Sequence, residues 1–476
     1  MKYLSPEKLV TYRLSIHDNA DHSRRPLKLS PHVYFFQKGS LSMLYHALAM
    51  KVVSGGVNLQ RLYAQCIEKK GIYPGDTDGI DETMAEFLLD QSFLIDFNAD
   101  SDELLPLLRQ RELDYNRNPS TLRLVPGTAC NLRCRYCSHA FDRDEFMTLE
   151  EGTNAIDLFF KCFDNTVPPS IIISGYEPLL NWEVMRHLLV FSRKRAEKAR
   201  AGNLQIELHT NGTMIDEKKA EILRDLDISV QMALDGREKE HDLARKTLHG
   251  GATCTDVIRG YRILSHHGIM PSLRCRIGLH NFSSLMETVH FFVEALECRE
   301  IELSFVKSSE LALPSGISME RALKVFEFLR RYGVKEITIM KKLQAFVEGK
   351  PILYSCKNGP AQIVALPGSV RSGCDAVFQK RNLISSSESE SPGQCVDEEK
   401  CRRCPALTLC GGICSCDGSS MSAAGNREAC IHAQIVLNWI LDDLAAQVLP
   451  HDHNGGFFFL ACGGTFSNNI RDRRLD

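Results

Sequence analysis

The sequence predicts an α/β protein. A parallel sheet with right-handed crossovers follows a small helical and hairpin unit and precedes a cysteine-rich region. Three observations predict this. Short apolar runs alternate with helix-period segments from Leu122 to Val306, and six such units must pair their strands in parallel. Ahead of them lie two helical patterns and a hairpin signal. Beyond residue 350 the alternation stops and cysteines crowd in.

Residues 1–25 are polar and irregular. Val33–Phe36 reads as a short strand, Lys38, Gly39 and Ser40 as a turn, and Leu41–Met50 as a second apolar stretch. Asn58–Lys70 has helical spacing in Leu59, Leu62, Tyr63, Cys66 and Ile67. Asp81–Leu94 has it too, with Asp81 as N-cap and Met84, Phe87 and Leu88 on one face. A polar stretch near Asp114–Ser120 closes this unit. Candidate strands then run Leu122–Pro126, Ser170–Ser174, Leu204–His209, Ile228–Leu234, Ser272–Leu279 and Glu300–Val306. Helical patterns at Glu150–Phe163, Glu183–Ala199, Lys218–Leu226, Asp256–His267 and Ser283–Leu296 separate them. Sites in such sheets lie at the carboxyl ends of the strands. Residues 385–393 read as a linker loop, and His451–Asp476 carries no predicted element around Phe457–Phe459. The expected units are residues 1–118, 119–340, 341–440 and a tail, 441–476.

A chain of 476 residues has room for several domains. The net charge of −3 is well mixed, so electrostatics imply no nucleic acid. No apolar run spans a bilayer and no basic-then-apolar leader opens the chain, so a soluble, cytoplasmic protein without a membrane partner is expected. Eighteen cysteines without a leader argue against a disulfide scaffold and for metal or redox chemistry in a reducing compartment. Cys66, Cys162, Cys254, Cys275 and Cys298 fall in apolar segments and read mostly as buried thiols, whereas Cys462 lies in a Gly-rich tail.

The most informative segment is Cys130, Cys134 and Cys137, spaced C-x3-C-x2-C directly after the first strand of the alternating region. Soft thiolates select iron–sulfur clusters, zinc or copper(I). A structural zinc site wants four protein ligands. A four-iron cluster held by three cysteines keeps one iron open for a small molecule. With the aromatic Tyr136 before the third cysteine, the segment resembles the signature loop of radical S-adenosylmethionine (radical SAM) enzymes. The resemblance implies a partial (β/α)6 TIM-like barrel and a [4Fe-4S] cluster whose open iron binds the amino and carboxylate groups of SAM. It extends along the chain in order. Ser174-Gly-Tyr-Glu-Pro178 stands where these enzymes commonly carry Gly-Gly-Glu-Pro, with Tyr176 in place of the second glycine. There Gly175 and Glu177 are implied to grip the SAM ammonium. His209-Thr-Asn-Gly-Thr213 matches the Thr-Asn-Gly-Thr that lines the SAM pocket, so Asn211 is implied to bond ribose or carboxylate. Leu234-Asp-Gly236 is followed by His241, Asp242 and Arg245, and the family pattern implies that Arg245 pairs with the SAM carboxylate.

The C-terminal region reads Cys401-x2-Cys404-x5-Cys410-x3-Cys414, then Cys430, with Cys356, Gly368 and Cys374 upstream. This resembles the SPASM extension behind many radical SAM domains, which binds one or two auxiliary [4Fe-4S] clusters. The resemblance implies Cys401, Cys404, Cys410 and Cys430 for one cluster, and Cys356, Cys374 and Cys414 for the other. A further cysteine usual near Cys356 is missing, which leaves an open iron, a non-cysteine ligand, or a donor such as Cys395 or Cys416. A zinc ribbon on Cys401, Cys404, Cys410 and Cys414 is the alternative. Asp375 follows Cys374; in sulfatase-maturing relatives an aspartate there is the general base, and the alternative is a solvated loop carboxylate.

The implied reaction is one-electron cleavage of SAM and hydrogen abstraction by a 5'-deoxyadenosyl radical, carried by the cofactors more than by the protein. The resemblance also implies an electron donor such as flavodoxin or ferredoxin. The N-terminal unit resembles the winged-helix-like domains of ribosomal-peptide maturases, which hold a leader peptide as an added strand. The leading expectation is thus a peptide maturase that forms a carbon–carbon or thioether crosslink in a precursor peptide with a leader segment. The alternatives are a formylglycine-generating sulfatase maturase and a non-catalytic iron–sulfur or zinc protein.

Overall fold

The computed structural model describes residues 26–55, 57–68, 71–73, 82–99, 119–137, 144–163, 168–306, 309–313, 319–353, 362–372, 401–411, 423–448 and 458–460. Residues 1–25, the linker 385–393, Cys356, Cys374, Asp375, Cys395, Cys414, Cys416 and Cys462 lie outside them.

The N-terminal unit runs β1 (Leu27–Leu29), β2 (Val33–Lys38), β3 (Leu41–His46), β4 (Lys51–Gly55), α1 (Val57–Glu68), α2 (Glu82–Asp90) and β5 (Leu94–Asp96). β2 and β3 pair antiparallel with Lys38 opposite Leu41, which leaves a two-residue turn. Gly39 supplies the positive φ of 59° that this turn needs. β3 is buried along its whole length because both faces are covered. Leu44, with Val53 of β4, packs on α1 and α2. Met43 and Tyr45 face helices from the C-terminal part of the chain, with Tyr45 stacked on Phe346.

The central unit begins with β6 (Thr121–Leu124) and α3 (Leu149–Cys162), then β7 (Ser170–Ile173), α4 (Trp182–Ala199), β8 (Gln205–Thr210) and α5 (Glu217–Asp225). It continues through β9 (Ser229–Ala233), α6 (Glu238–Ala244), α7 (Cys254–His266), β10 (Ser272–Ile277), α8 (Leu285–His290) and β11 (Glu300–Phe305). The predicted strands are all present, ending slightly earlier or later than the apolar runs suggest. The last predicted helix, expected to reach Leu296, changes to a π turn at Phe291–Ala295. Two helix starts follow capping chemistry: Thr148 and Glu151 close a reciprocal capping box on α3, and the Asp216 carboxylate accepts from Lys219 N–H at α5.

β6 to β11 stand in sequence order and pair in parallel, as βα units require. This open sheet is a partial barrel. After it come α9 (Met319–Arg331), β12 (Lys335–Glu336), α10 (Ile337–Val347), β13 (Gln362–Leu366) and β14 (Ser369–Ser372). β12 extends the sheet beyond β11, and β13 with β14 extends it beyond β6, giving nine strands. The helix-facing residues of each strand are apolar and buried, for example Leu122, Ile171, Leu208, Met232 and Leu273. The alternate residues include Arg123, Glu207, His209, Gln231, Arg274, Arg276, Glu302 and Ser304 beside the apolar Ile172 and Ala233, so the inner face of the barrel is mostly polar and charged.

α11 (Leu407–Cys410), α12 (Ala423–Val448) and β15 (Phe458–Leu460) complete the described chain. α10 and α12 run through residues 340 and 440, where sequence alone places domain limits. α12 packs with α9, α10 and α11 against the N-terminal sheet. β15 pairs with β4, so that sheet has the order β15-β4-β3-β2 and β2 lies at its edge. Cys254, Cys275 and Cys298 are buried as expected, whereas Cys162, at the end of α3, is exposed. No helix among the described residues is long and apolar enough to cross a membrane.

Candidate active site at the carboxyl ends of the strands

The loop after β6 carries Cys130, Cys134 and Cys137, all reduced and partly buried. Its backbone is held against the segment after α6: Arg133 N–H donates to Lys246 O and Arg135 N–H to Ala244 O. At the other end Asn131 donates from Nδ2 to Thr213 Oγ1 (2.9 Å), and Asn211 donates back to Asn131 Oδ1 (2.8 Å). The loop is thereby fixed to the end of β8 and to the end of α6, both distant in sequence.

The β7 turn is strained where sequence reasoning noted a departure. Gly175 has φ of 95° and Tyr176 φ of 51°, a left-handed conformation that a side chain makes costly by roughly 1–2 kcal/mol. A Cβ at Gly175 would stand 3.0 Å from Val125 Cγ1. Glu177 follows, buried, and its oxygens already accept three protein donors: Leu179 N–H (3.1 Å), Thr210 Oγ1–H (2.7 Å) and Asn211 N–H (2.8 Å). Burial raises its carboxyl pKa while these donors pull it down. The structure thus gives Glu177 a positioning task, joining the β7 end to the β8 end.

Arg245 is likewise engaged. Its Nε donates to Asp235 Oδ2 (2.9 Å), Nη1 reaches Cys134 Sγ (3.8 Å), and the guanidinium lies over the Tyr136 ring (5.4 Å to the centroid). Asp235, fully buried at the end of β9, is the centre of this group: it accepts from the Tyr136 hydroxyl and from Arg276 N–H (2.9 Å) as well. Burial alone would push its carboxyl up, but the Arg245 charge prevails and holds it well below the usual range. His280 stacks on Tyr136 (5.8 Å between centroids), with Nε2 3.6 Å from Asp235 Oδ2. His241 accepts from Asp235 N–H at Nδ1 (3.2 Å). Thr253 spends its own hydroxyl proton on Arg245 O (2.9 Å), so His241 Nε2 is the donor to Thr253 Oγ1 (3.1 Å). Burial lowers the His241 ring to about 4, against the pull of Asp235, and keeps it neutral.

The three thiols suit a cationic, thiophilic cluster. Burial pushes Cys130 up to about 12 and raises Cys134, so these groups ionise only when a metal supplies positive charge. Two donors already face the sulfurs: Leu132 N–H to Cys130 Sγ (3.4 Å) and Arg245 to Cys134 Sγ. Among the described residues, no three His, Cys, Asp or Glu side chains gather as a single metal ion would require.

Sequence reasoning placed Cys130, Cys134, Cys137, Tyr136, Gly175, Glu177, Asn211 and Arg245 at strand ends, and the fold brings them to one end of the sheet. It missed Asn131, His280 and Arg276, and it passed over Asp235 as part of a strand-end tripeptide. An Asp directly after an apolar strand, ten residues before an Arg, was the available signal. The C-terminal cysteines are described only in part. Cys401 is buried, Cys404 precedes α11, Cys410 is its last residue, and Cys430 lies on α12, which contacts α11.

Comparisons with known proteins agree with this geometry. The Radical SAM superfamily model matches residues 124–292. An uncharacterized protein of Methanocaldococcus jannaschii is 28% identical over 216 residues, covering 45% of this chain and 72% of that protein. The serine-type anaerobic sulfatase-maturating enzyme of Klebsiella aerogenes is 20% identical over 364 residues, covering 68% of this chain and 87% of the enzyme. Among solved structures, native anSMEcpe with bound AdoMet and Cp18Cys peptide matches with a TM-score of 0.56 at 19% identity, over 69% of this chain and 99% of that one. At that identity the match speaks for the fold. Residues 124–292 form a radical SAM domain, an enzyme domain whose cofactors are a [4Fe-4S] cluster and S-adenosylmethionine.

Proposed function

We propose that this enzyme is a maturase that modifies a peptide, with Cys130, Cys134 and Cys137 holding the SAM-binding cluster. The observation that carries the reading is the fixed cysteine loop, bonded to the ends of β8 and α6 with Arg245 against Cys134. When bound, the cluster and SAM supply one-electron chemistry that ends in hydrogen abstraction from a C–H bond. The protein's part is positional. Asn131 and Asn211 fix the loop, Glu177 joins two strand ends, and Asp235 orients Arg245 and Tyr136. Tyr136, Gly175, Glu177, Asn211 and Arg245 surround the SAM site in this proposal. Cys401, Cys404, Cys410 and Cys430 hold one auxiliary cluster, and Cys356, Cys374 and Cys414 serve a second, in a SPASM-like region with Asp375 as base.

Two observations support a peptide substrate. The sulfatase-maturating relative, whose name states a protein target, aligns across two-thirds of the chain. β2 is an edge strand of the N-terminal sheet, and an edge of that kind can take an extended leader peptide by main-chain hydrogen bonds. The edge favours a crosslinking maturase of a precursor peptide, reduced by a flavodoxin- or ferredoxin-like donor. The alignment with the Klebsiella enzyme favours the second reading, formylglycine formation in a sulfatase.

The test is anaerobic co-expression with a precursor peptide encoded beside the gene, followed by mass spectrometry. A loss of two hydrogens, absent with Cys134→Ala, supports the crosslinking maturase. An unchanged peptide with deoxyadenosine still formed shifts the assignment to the sulfatase reading. Removal of residues 1–118 separates the two further, since only the leader-dependent enzyme loses peptide affinity.

A further inference from the structure

The inner face of the barrel holds a cation that, among the described residues, forms no ion pair. Arg245, the arginine that the sequence points to, is tied to Asp235 and Cys134. Arg276 is not. Its backbone N–H bonds Asp235, but its guanidinium makes no hydrogen bond or ion pair among the described residues. It sits on β10 in register with Ser304 of β11, and in parallel strands such partners share a face. Two residues earlier, Arg274 stands opposite Glu302 and donates to it from Nη2 (2.9 Å).

Two polar atoms beside Arg276 lack partners. Ser304 Oγ is buried with no hydrogen-bond partner, and so is Arg274 Nε. Both can donate. Glu302, the carboxylate on this patch, is already taken by Arg274 and by Gln231 Nε2 (3.0 Å). Buried donors without acceptors are expensive unless something fills the site. Burial and the neighbouring Arg274 charge weaken the hold of Arg276 on its proton, which a bound anion would restore. The guanidinium also lies within electrostatic reach of Tyr136, on the cluster loop.

We propose that Arg276, with Ser304 and Arg274, forms a carboxylate-binding site on the inner face of the barrel beside the cluster loop. A planar guanidinium and a flanking hydroxyl suit the two oxygens of a carboxylate. Two sources offer that group: the methionyl end of SAM, and an acidic side chain of the substrate peptide. The second source rests on the peptide-maturase reading; the first does not.

The experiment uses the reconstituted holoenzyme and its Arg276→Gln, Arg276→Lys and Ser304→Ala variants. Iron content and far-UV circular dichroism establish that each variant folds and loads, and Ser304→Ala carries the test if Arg276→Gln does not. SAM affinity is measured by equilibrium dialysis. Peptide binding is measured by paramagnetic broadening from the reduced cluster, with N-acetyl-Ala-Asp-Ala-amide against its Asn counterpart. If the site takes SAM, Arg276→Gln weakens SAM binding at least about tenfold and Arg276→Lys recovers part of it. If it takes the substrate, SAM affinity stays within about twofold and the preference for the Asp peptide disappears in Arg276→Gln. Equal SAM affinity together with equal treatment of the two peptides, in folded Arg276→Gln and wild type alike, overturns the proposal. Deoxyadenosine formation by the wild-type enzyme with no modified peptide would count against the maturase reading and leave the SAM arm intact.

Discussion

The two faces of the central sheet are built from the same strands and behave as different materials. Toward the helices stand Leu122, Ile171, Leu208, Met232 and Leu273, all buried in one apolar cluster. Toward the interior of the barrel stand Arg123, Glu207, His209, Gln231, Arg274, Arg276 and Glu302. One face holds the fold together by excluding water, at roughly 1.5–3 kcal/mol per large side chain. The other holds polar groups in place and continues, at the carboxyl ends, into the Tyr136–Asp235–Arg245 network. The difference teaches that the period of two in a strand lets one segment supply core and site together, with no residue required to serve both.

Four substitutions break or sharpen this contrast. Asp235→Asn removes the buried carboxylate and leaves Arg245 in a dry setting without its counter-charge. It should cost about 3–5 kcal/mol in urea unfolding and release Tyr136 from the sheet, seen as faster amide exchange in the cysteine loop. Leu273→Ala acts on the opposite face. It should cost about 2–4 kcal/mol through lost burial and a cavity, with SAM affinity held within about twofold because no site contact changes. A comparable loss of SAM affinity in both variants would mean that the faces are not independent.

The third concerns pH. His241 is neutral in the fold, lowered by burial to about 4 from an unfolded value near 6.5. The unfolded chain therefore binds the proton first as pH falls. The contribution is fully present above pH 6.5 and is lost between 6.5 and about 4, on the order of 3 kcal/mol. His241→Gln should flatten the stability profile over that window relative to wild type; parallel profiles would contradict the assignment. The smallest effect is expected at the β7 turn. Tyr176→Gly relieves the left-handed backbone but loosens the unfolded chain, so stability should shift by less than about 1 kcal/mol. A change in SAM affinity at unchanged stability would assign the Tyr176 side chain to the pocket.

Much of the sheet was legible in the sequence because its signals are local. Alternation located β6 to β11, and the capping residues Thr148 and Asp216 stand at two of the helix starts between them. The cysteine spacing and the strand-end motifs marked the carboxyl end as the site. The additions at the sheet edges were not legible. Nothing in Gln362–Leu366 states that it will pair with Thr121–Leu124, since an apolar strand can join any open edge.

The sequence by itself determined which face of each strand is apolar, where the cysteine loop lies along the chain, and that residue 176 would depart from glycine. Only the tertiary structure decided which polar groups meet. Tyr136 finds Asp235 across 99 positions, Arg245 finds Cys134 across 111, and Asn211 finds Asn131 across 80. The physical reason is range. Backbone sterics and hydrophobic periodicity act over a few residues and can be read in order. A hydrogen bond between strand ends depends on strand order and register, which are settled only when the whole sheet packs against its helices.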